Sequence, residues 1–337
     1  VTGADAEIAP YPFTTREPAR AMADVPDPRL DAIADVQDIP KRVPAQVQLV
    51  DIAGLAAGAG TGEGLGGAAL GQLRQADALL HVVRAFANAE VPHPEERVDP
   101  VADAEAVDLE LAVADREQVE RRLERVRKGV RAGETGAAAE LAALEAIAAA
   151  LDAGRPARLV GDDAAVAVAL EMGLLTAKPV LYIANTDEEL EPPAGLAAHA
   201  EAQGAQALAL PVGLELELAA MEPEEAAELA GELELGDTRG ADAVVQAAYR
   251  LLDLVTFFTG SGPPEARAWP IRRGTAAPAA AGKIHSDMER GFIRAEVIPW
   301  DALVDAGSWA RARENATLRT EGKDYVVQEG DVMQIRF

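Results

Sequence analysis

Cysteine is absent from the 337 residues, which excludes disulfides and thiolate metal sites. Histidine is scarce. His81 lies inside an apolar strand and His199 on a helical stretch, neither with carboxylate or histidine neighbours at ligand spacing, so a metalloenzyme is not indicated. No run approaches the ~20 apolar residues that span a bilayer, and no signal-like segment opens the chain. A membrane partner is therefore excluded and a cytoplasmic protein expected. Lysine is rare, five against 26 arginines, a bias that fits a GC-rich genome or a salty cytoplasm better than a functional basic patch. No methionine opens the chain and residues 1–30 read as loop, so the front of the protein is expected to be missing.

What is present is acid and alanine. Hydrophobic residues make up 49%, weighted to alanine, enough for two or three domains with cores of their own. The net charge of −26 repels nucleic acid if spread evenly, but from Leu254 onward 11 Lys and Arg balance 11 Asp and Glu. The first 253 residues carry the whole excess, so any contact with RNA is expected in the tail.

The chain is organised around residues 46–84. A strand expected to be buried, Val47 to Ile52, ends in Asp51-Ile-Ala-Gly54. A glycine-crowded loop follows, then a helical run through Leu70 and Leu73 and a second apolar strand, Leu79 to Val83. D-x-x-G at the carboxyl end of a strand suits a nucleotide switch, because the Asp can hold a Mg²⁺ water and the Gly N–H can reach a γ-phosphate. Glycines 54, 58, 60, 62, 64, 66 and 67 suit a loop that approaches phosphate or reorganises.

Upstream, Pro10 to Pro18 is too proline-rich for a helix and reads as an extended loop presenting two hydroxyls, and Arg20 to Val25 is a candidate strand pairing with Val47 to Ile52. Downstream, His93 sits in the loop Val91-Pro-His-Pro94. Val119, Leu123, Val126 and Val130 form one helical seam, and Leu141, Leu144, Ala148 and Leu151 a second, which predicts an antiparallel hairpin over 103–152 and a third helix over about 163–175. Lys178 to Asn185 is a buried strand ending in Asn-Thr-Asp-Glu188, followed by a helix over 194–203, a strand over 206–212, an acidic helical stretch over 222–235 and a helix over 240–254. The last 84 residues read as a small α+β domain, with strands over 266–271, 290–297, 324–327 and 332–337 around one helix over 300–313. Strands and helices alternating on both sides of an insert make the fold class α/β, a doubly wound sheet interrupted by a hairpin.

YPFTTREP, VDIAGL, HVVRAF, VDP, ELAVAD, KPVLYIANTDE and AAGKIHSDMERGFIRAE, in this order, resemble the YchF family of Obg-like ATPases from about Tyr11 to Phe337. The resemblance implies a Ras-like nucleotide domain over 1–102 and 178–253, a helical hairpin insert over 103–177 and a C-terminal TGS domain of β-grasp fold over 254–337. It implies an ATPase switch acting with ribosomes, with ATP and Mg²⁺ as ligands and RNA as a further partner of the TGS domain. Thr15 matches the switch-one threonine that reaches Mg²⁺ and γ-phosphate. Asp51 and Gly54 match the second switch, with Asp51 a Mg²⁺ ligand, and Leu55 stands where many GTPases place a catalytic Gln. Asn185 matches the base-reading Asn, Thr186 its neighbour, and Phe86 an apolar wall beside the base.

Guanine specificity normally uses N-K-x-D, whereas Asn185-Thr-Asp-Glu188 lacks the Lys and carries the longer Glu, so ATP is expected over GTP. The structural reading of Asp187 and Glu188 is a helix N-cap. Leu55 cannot orient water, and His93 is the candidate that polarises it. Arg267, Arg272, Arg273, Lys283, Arg290 and Arg294 are the candidates for RNA or ribosome contact. G-x-x-x-x-G-K-[ST] is not in the sequence, and Gly60-Thr-Gly-Glu-Gly64 is not followed by Lys-Ser/Thr. A missing front is the expectation, and a phosphate-loop-less paralogue serving as an interaction module is the alternative.

Overall fold

The computed structural model describes residues 19–52, 67–88, 90–93, 96–233, 235, 240–260 and 264–337. They fall into two compact units, one of Ala21–Leu49 with Val245–Phe337 and one chiefly of Val50–Val244.

In chain order, β1 (Ala19–Asp24) is followed by α1 (Pro28–Val36), β2 (Arg42–Val43) and β3 (Gln46–Asp51). Next come α2 (Gly67–Gln75), β4 (Leu79–Arg84), α3 (Pro100–Arg131), α4 (Ala137–Asp152), α5 (Asp163–Glu171), β5 (Val180–Asn185), α6 (Ala194–Ala202), β6 (Gln206–Leu210), α7 (Val212–Ala220), α8 (Pro223–Glu232) and α9 (Gly240–Leu251). The C-terminal stretch adds β7 (Leu254–Thr259), β8 (Ala266–Arg272), α10 (Ala277–Ile284), α11 (Ser286–Arg290), β9 (Arg294–Pro299), α12 (Trp300–Ala306), α13 (Trp309–Glu314), β10 (Arg319–Glu321) and β11 (Asp331–Arg336).

In the first unit β1 pairs with β3, and a six-stranded sheet runs β10-β9-β11-β7-β8-β2. Successive strand residues point to opposite faces, and the unit uses both. Phe258, Ala268, Ile298 and Val332 pack with Leu30 and Ile33 of α1, Leu303 of α12 and Trp309 of α13, while Phe257, Ile271, Val297 and Met333 pack with Ala277, Ala280 and Ala281 of α10. α1 starts where Asp27 caps the Arg29 N–H and Pro28 occupies the first turn.

Several expectations shift here. The strand expected over 290–297 begins at Arg294, because 286–290 coil into α11, and 324–327 makes only an isolated bridge, Ala276 to Val326. The helix expected over 300–313 is two, divided at Gly307, whose φ of 77° is left-handed and ends α12. The helix expected to reach 254 stops at Leu251, and Leu254 opens β7. Val47 is buried, but the rest of β3 is partly or fully exposed, so the reading of a fully buried strand is corrected.

In the second unit β4, β5 and β6 form a parallel sheet in that order. Leu73 of α2, Ala104 and Leu111 of α3, and Leu196 and Ala200 of α6 cover it with Leu79, Val83, Val180, Tyr182 and Ala184. α3 begins with Asp99 accepting from the Ala102 N–H and Pro100 in its first turn, and runs 32 residues, about 48 Å at 1.5 Å per residue. Gly133 and Gly136, at φ of 73° and 84°, turn the chain into α4. The hairpin seam joins Val119, Leu123 and Val126 to Leu144, Ala148 and Leu151. Val130, expected in that seam, is 37% exposed, because Gly129 takes the buried position beside the turn. The third helix ends at Glu171, and a 3₁₀ turn, Leu175–Ala177, leads into β5. Among the described residues no helix is long and apolar enough to cross a membrane.

Candidate nucleotide site

β4 and β5 run parallel in a register that sets Arg84 beside Asn185, so their following loops leave the sheet together at its carboxyl edge. That edge is where open α/β sheets bind ligands. The Ala85 N–H donates to the Asn185 carbonyl at 2.8 Å, and the Ala87 N–H donates to Asp187 Oδ2 at 3.3 Å, which joins the two loops. Thr186 is buried. Its N–H donates to the Leu210 carbonyl at 3.2 Å and its hydroxyl to the Glu189 carbonyl at 2.7 Å. Asn185 thus spends its carbonyl on the scaffold, and its side chain makes no hydrogen bond among the described residues.

Arg84 is the residue the sequence reading missed, although it stands in the quoted HVVRAF. Its Nε donates to the Phe86 carbonyl at 3.2 Å, and its two terminal nitrogens to Asn88 and Val91 carbonyls, each at 2.9 Å. The guanidinium carbon lies 4.5 Å from the Phe86 ring centroid, so one cation ties Phe86, Asn88 and Val91 together and holds the aromatic wall. Asp187 and Glu188 are not the N-cap of α6, a place taken by Pro193 with no side-chain cap. That expectation is corrected: Asp187 serves the loop joint instead.

Asp51 ends β3 with an exposed carboxylate that makes no hydrogen bond or ion pair among the described residues. Thr15, Gly54 and Leu55 lie outside the described residues. His93 is not a freely exposed imidazole. Its Nε2 sits 2.9 Å from Asp103 Oδ2 in the first turn of α3, and the side chain is 14% exposed.

The 50S ribosome-binding GTPase family model matches residues 1–128, and the YchF-GTPase C-terminal model, described as a protein of unknown function, matches residues 254–337. The Bacillus subtilis (strain 168) protein called ribosome-binding ATPase YchF is 40% identical over 345 residues, covering 100% of this chain and 94% of its own. The chain belongs to the YchF family. A rice protein named Obg-like ATPase 1 is 37% identical, with 97% of this chain and 84% of its own covered. The solved Schizosaccharomyces pombe YchF GTPase superposes with a TM-score of 0.82 at 34% identity, covering 97% of this chain and 89% of that one. This YchF chain is accordingly a mixed α/β protein with a GTPase-family domain.

Two further features of the YchF chain carry charge chemistry. The six basic candidates of the C-terminal segment are dispersed over several elements, and half are neutralised. Arg267 pairs with Glu265 at 3.2 Å and lies over Trp269, Arg273 pairs with Asp253 at 3.0 Å, and Arg290 pairs with Asp287. Arg272 is also partnered, and Lys283, in the last turn of α10, is exposed. Arg294 is exposed. The tip of α3, by contrast, holds six basic residues and one acidic over 121–131, against −26 for the whole. There Arg125, Lys128 and Arg131 are exposed and form no ion pair among the described residues.

The root of α3 is equally missed from sequence. Asp108 Oδ2 accepts from the Tyr182 hydroxyl at 2.6 Å and lies 2.8 Å from His199 Nε2, while Oδ1 is 3.9 Å from His81 Nδ1. The two histidines, far apart in sequence, thus meet at a carboxylate carried by the hairpin. Among the described residues no group of three or more side chains could hold a metal ion.

Proposed function

We propose that this chain is the body of an ATP-hydrolysing switch that acts on ribosomes. The observation that carries this reading is the paired carboxyl edge of β4 and β5, where Phe86, Asn185 and Thr186 stand together with the Asn185 side chain unengaged. The relatives named as ribosome-binding ATPases support it. Asn185 reads the base, Phe86 walls it, and Arg84 orders the loop between them. The box Asn185-Thr-Asp-Glu188 lacks the stacking Lys and the guanine-reading Asp, which favours ATP. Asp51 fits as a Mg²⁺ ligand because its carboxylate is exposed and unengaged at a strand end, and Thr15 is the second proposed ligand. When bound, Mg²⁺ neutralises phosphate charge. Gly54 and Leu55 are assigned to the second switch. His93 is the proposed water-polarising group, held by Asp103.

The proposed layout is a nucleotide domain over 1–102 and 178–253, a hairpin insert over 103–177, and a TGS domain of β-grasp type over 254–337. Supporting the last, β7 and β11, its first and last strands, are parallel neighbours inside their sheet. We place the protein in the cytoplasm, where ribosomes are.

Calorimetry on a form carrying its phosphate-binding loop tests the nucleotide reading. ATP is expected to bind more tightly than GTP, and His93→Ala to lower turnover ~10-fold or more, ~1.4 kcal/mol on the barrier, with ATP affinity unchanged. GTP binding as tightly as ATP would end the specificity claim. The second reading, a nucleotide-free interaction module, rests on the absence of G-x-x-x-x-G-K-[ST] from these 337 residues, and tight ATP binding by this chain alone would remove it.

For the ribosome contact, deleting 254–337 is a poor probe, because Leu30, Ile33 and Ala34 share one core with that segment. Surface charge reversal is cleaner. Lys283→Glu with Arg294→Glu is expected to weaken ribosome co-sedimentation and to lower its salt slope by about one per lost phosphate contact. Loss confined to Arg125→Glu, Lys128→Glu and Arg131→Glu instead assigns the contact to the hairpin tip.

A further inference from the structure

The helix that follows the glycine-rich switch loop is α2, and its last turn is fastened to the hairpin by one side chain. A terminal nitrogen of Arg74 donates to Gln118 Oε1 and, at 3.4 Å, to the Gly173 carbonyl. Gln118 in turn donates from Nε2 to the Met172 carbonyl at 2.6 Å. Only this orientation of the amide satisfies both neighbours, since the guanidinium has no acceptor and the carbonyl no donor. One turn earlier on α3, Asp115 accepts from the Leu175 and Thr176 N–H groups at 2.9 and 2.7 Å. The middle of α3 is therefore pinned to 172–176 by two residues, and α2 reaches that pin through Arg74. The end of α2 is held from the other side by Lys178, whose ammonium donates to the Arg74 carbonyl at 3.0 Å and to the Ala76 carbonyl. A cation on these last carbonyls satisfies a helix end that has no partners of its own.

We propose that Arg74, through Gln118, is the positioning residue that transmits the nucleotide state of the switch to the lean of the α3–α4 hairpin. This rests on the switch reading above and names its output. α3 is a stiff arm: from Gln118 to Arg131 is 13 residues, about 20 Å at 1.5 Å per residue, so a small tilt where Arg74 bears on it is magnified at the basic tip. Arg74 belongs to α2, the helix that follows the D-x-x-G in sequence, so a displacement of α2 is felt directly at Gln118. When Arg74 withdraws, Gln118 keeps its bond to Met172 and Asp115 its own to 175 and 176, so the hairpin stays docked and only its bias changes. The structure holds the contact made, and the proposed second arrangement is the same contact broken, which supplies the two states that coupling requires.

The test is the ratio of ribosome affinities with ATP and with ADP, measured on the form carrying its phosphate-binding loop. In the parent this ratio is expected to differ from one by about 5-fold or more, the usual range of coupling between sites. Arg74→Ala and Gln118→Ala should each bring it to near one, and the two together no further, with nucleotide affinity unchanged. Arg74→Lys should keep it away from one, because an ammonium also donates to Gln118 Oε1 and leaves the amide's bond to Met172 in place. A contact that merely stabilised the fold would lower stability and leave the ratio intact, and amide exchange at 172–176 shows that each variant remains docked. An undiminished ratio in both alanine variants overturns the relay alone. A parent ratio of one overturns the relay and the switch reading together.

Discussion

Asp115→Ala is expected to destabilise the Val50–Val244 unit by about 3 kcal/mol. Asp115 is fully buried, and three donors converge on its carboxylate: the Leu175 N–H at 2.9 Å, the Thr176 N–H at 2.7 Å and the Thr176 hydroxyl at 2.7 Å. The hydroxyl is part of a chain, because it accepts in turn from the Ala157 N–H at 3.3 Å. Alanine orphans two main-chain donors where water does not reach, and each orphan costs about 1–3 kcal/mol. The sum overstates the loss, because burial pushes the Asp115 carboxyl above its usual range and so works against the ion. Removing one partner of a buried charged network typically costs about 3–5 kcal/mol, and the lower end applies here.

Asp115→Asn separates the bonds from the charge. Its single carbonyl oxygen serves one or two donors, and its NH₂ finds donors where an acceptor stood, so a loss of about half that of alanine is expected. All three tryptophans, Trp269, Trp300 and Trp309, lie in the other unit, so indole fluorescence is blind to this change. Amide exchange in α3 and around 172–176 is the measurement that reads it. Protection within 1 kcal/mol of the parent in Asp115→Ala would show that the three bonds contribute little.

The same residue shows why part of the architecture was legible and part was not. Apolar periodicity depends on neighbours in sequence, so the hairpin seam from Val119 to Leu151 and the strand from Val180 to Asn185 could be read directly. Asp115 lies in ELAVAD, a quoted motif, but its partners are 60 residues away and no local pattern announces them. Arg84 is similar: a cation following an apolar strand reads as solvated until its three carbonyl acceptors close the loop around it. Phe86, Asn185 and Thr186 converge because parallel strands deliver their loops to one edge, a rule of topology that a D-x-x-G and an apolar strand already imply. Short elements were lost, β2 and β10 among them, because two or three residues carry no period. The helix expected over 300–313 failed at Gly307, whose left-handed φ outweighs the helical pattern on either side.

Acidification from pH 7 to pH 5 is expected to weaken the Val50–Val244 unit through His81, by up to about 2 kcal/mol. His81 packs at 5.2 Å from the Tyr182 ring, and His199 meets the same ring edge-on at 5.5 Å. Burial, the largest influence, pushes the His81 pKa below its ordinary 6.5; Asp108 and Asp103 draw it up, and a charged His199 pushes it down again. The folded pKa is thus lower than the unfolded one. As pH falls through ~6.5 the unfolded chain takes up a proton that the folded chain refuses, so unfolding is favoured, and the loss continues until the folded pKa is reached. The slope cannot exceed about 1.4 kcal/mol per pH unit for one proton. His81→Phe keeps an aromatic face against Tyr182 and removes the titration, so it should flatten the dependence between pH 7 and pH 5 relative to the parent. Asp108 still holds His199 at 2.8 Å and accepts from Tyr182 in that variant, so the rest of the cluster is kept and the difference between the two slopes belongs to His81. Urea unfolding followed by far-ultraviolet circular dichroism at the two pH values, parent beside variant, isolates the His81 share. Identical slopes in the two proteins would mean that His81 is protonated as readily folded as unfolded, and that Asp108 rather than burial governs it.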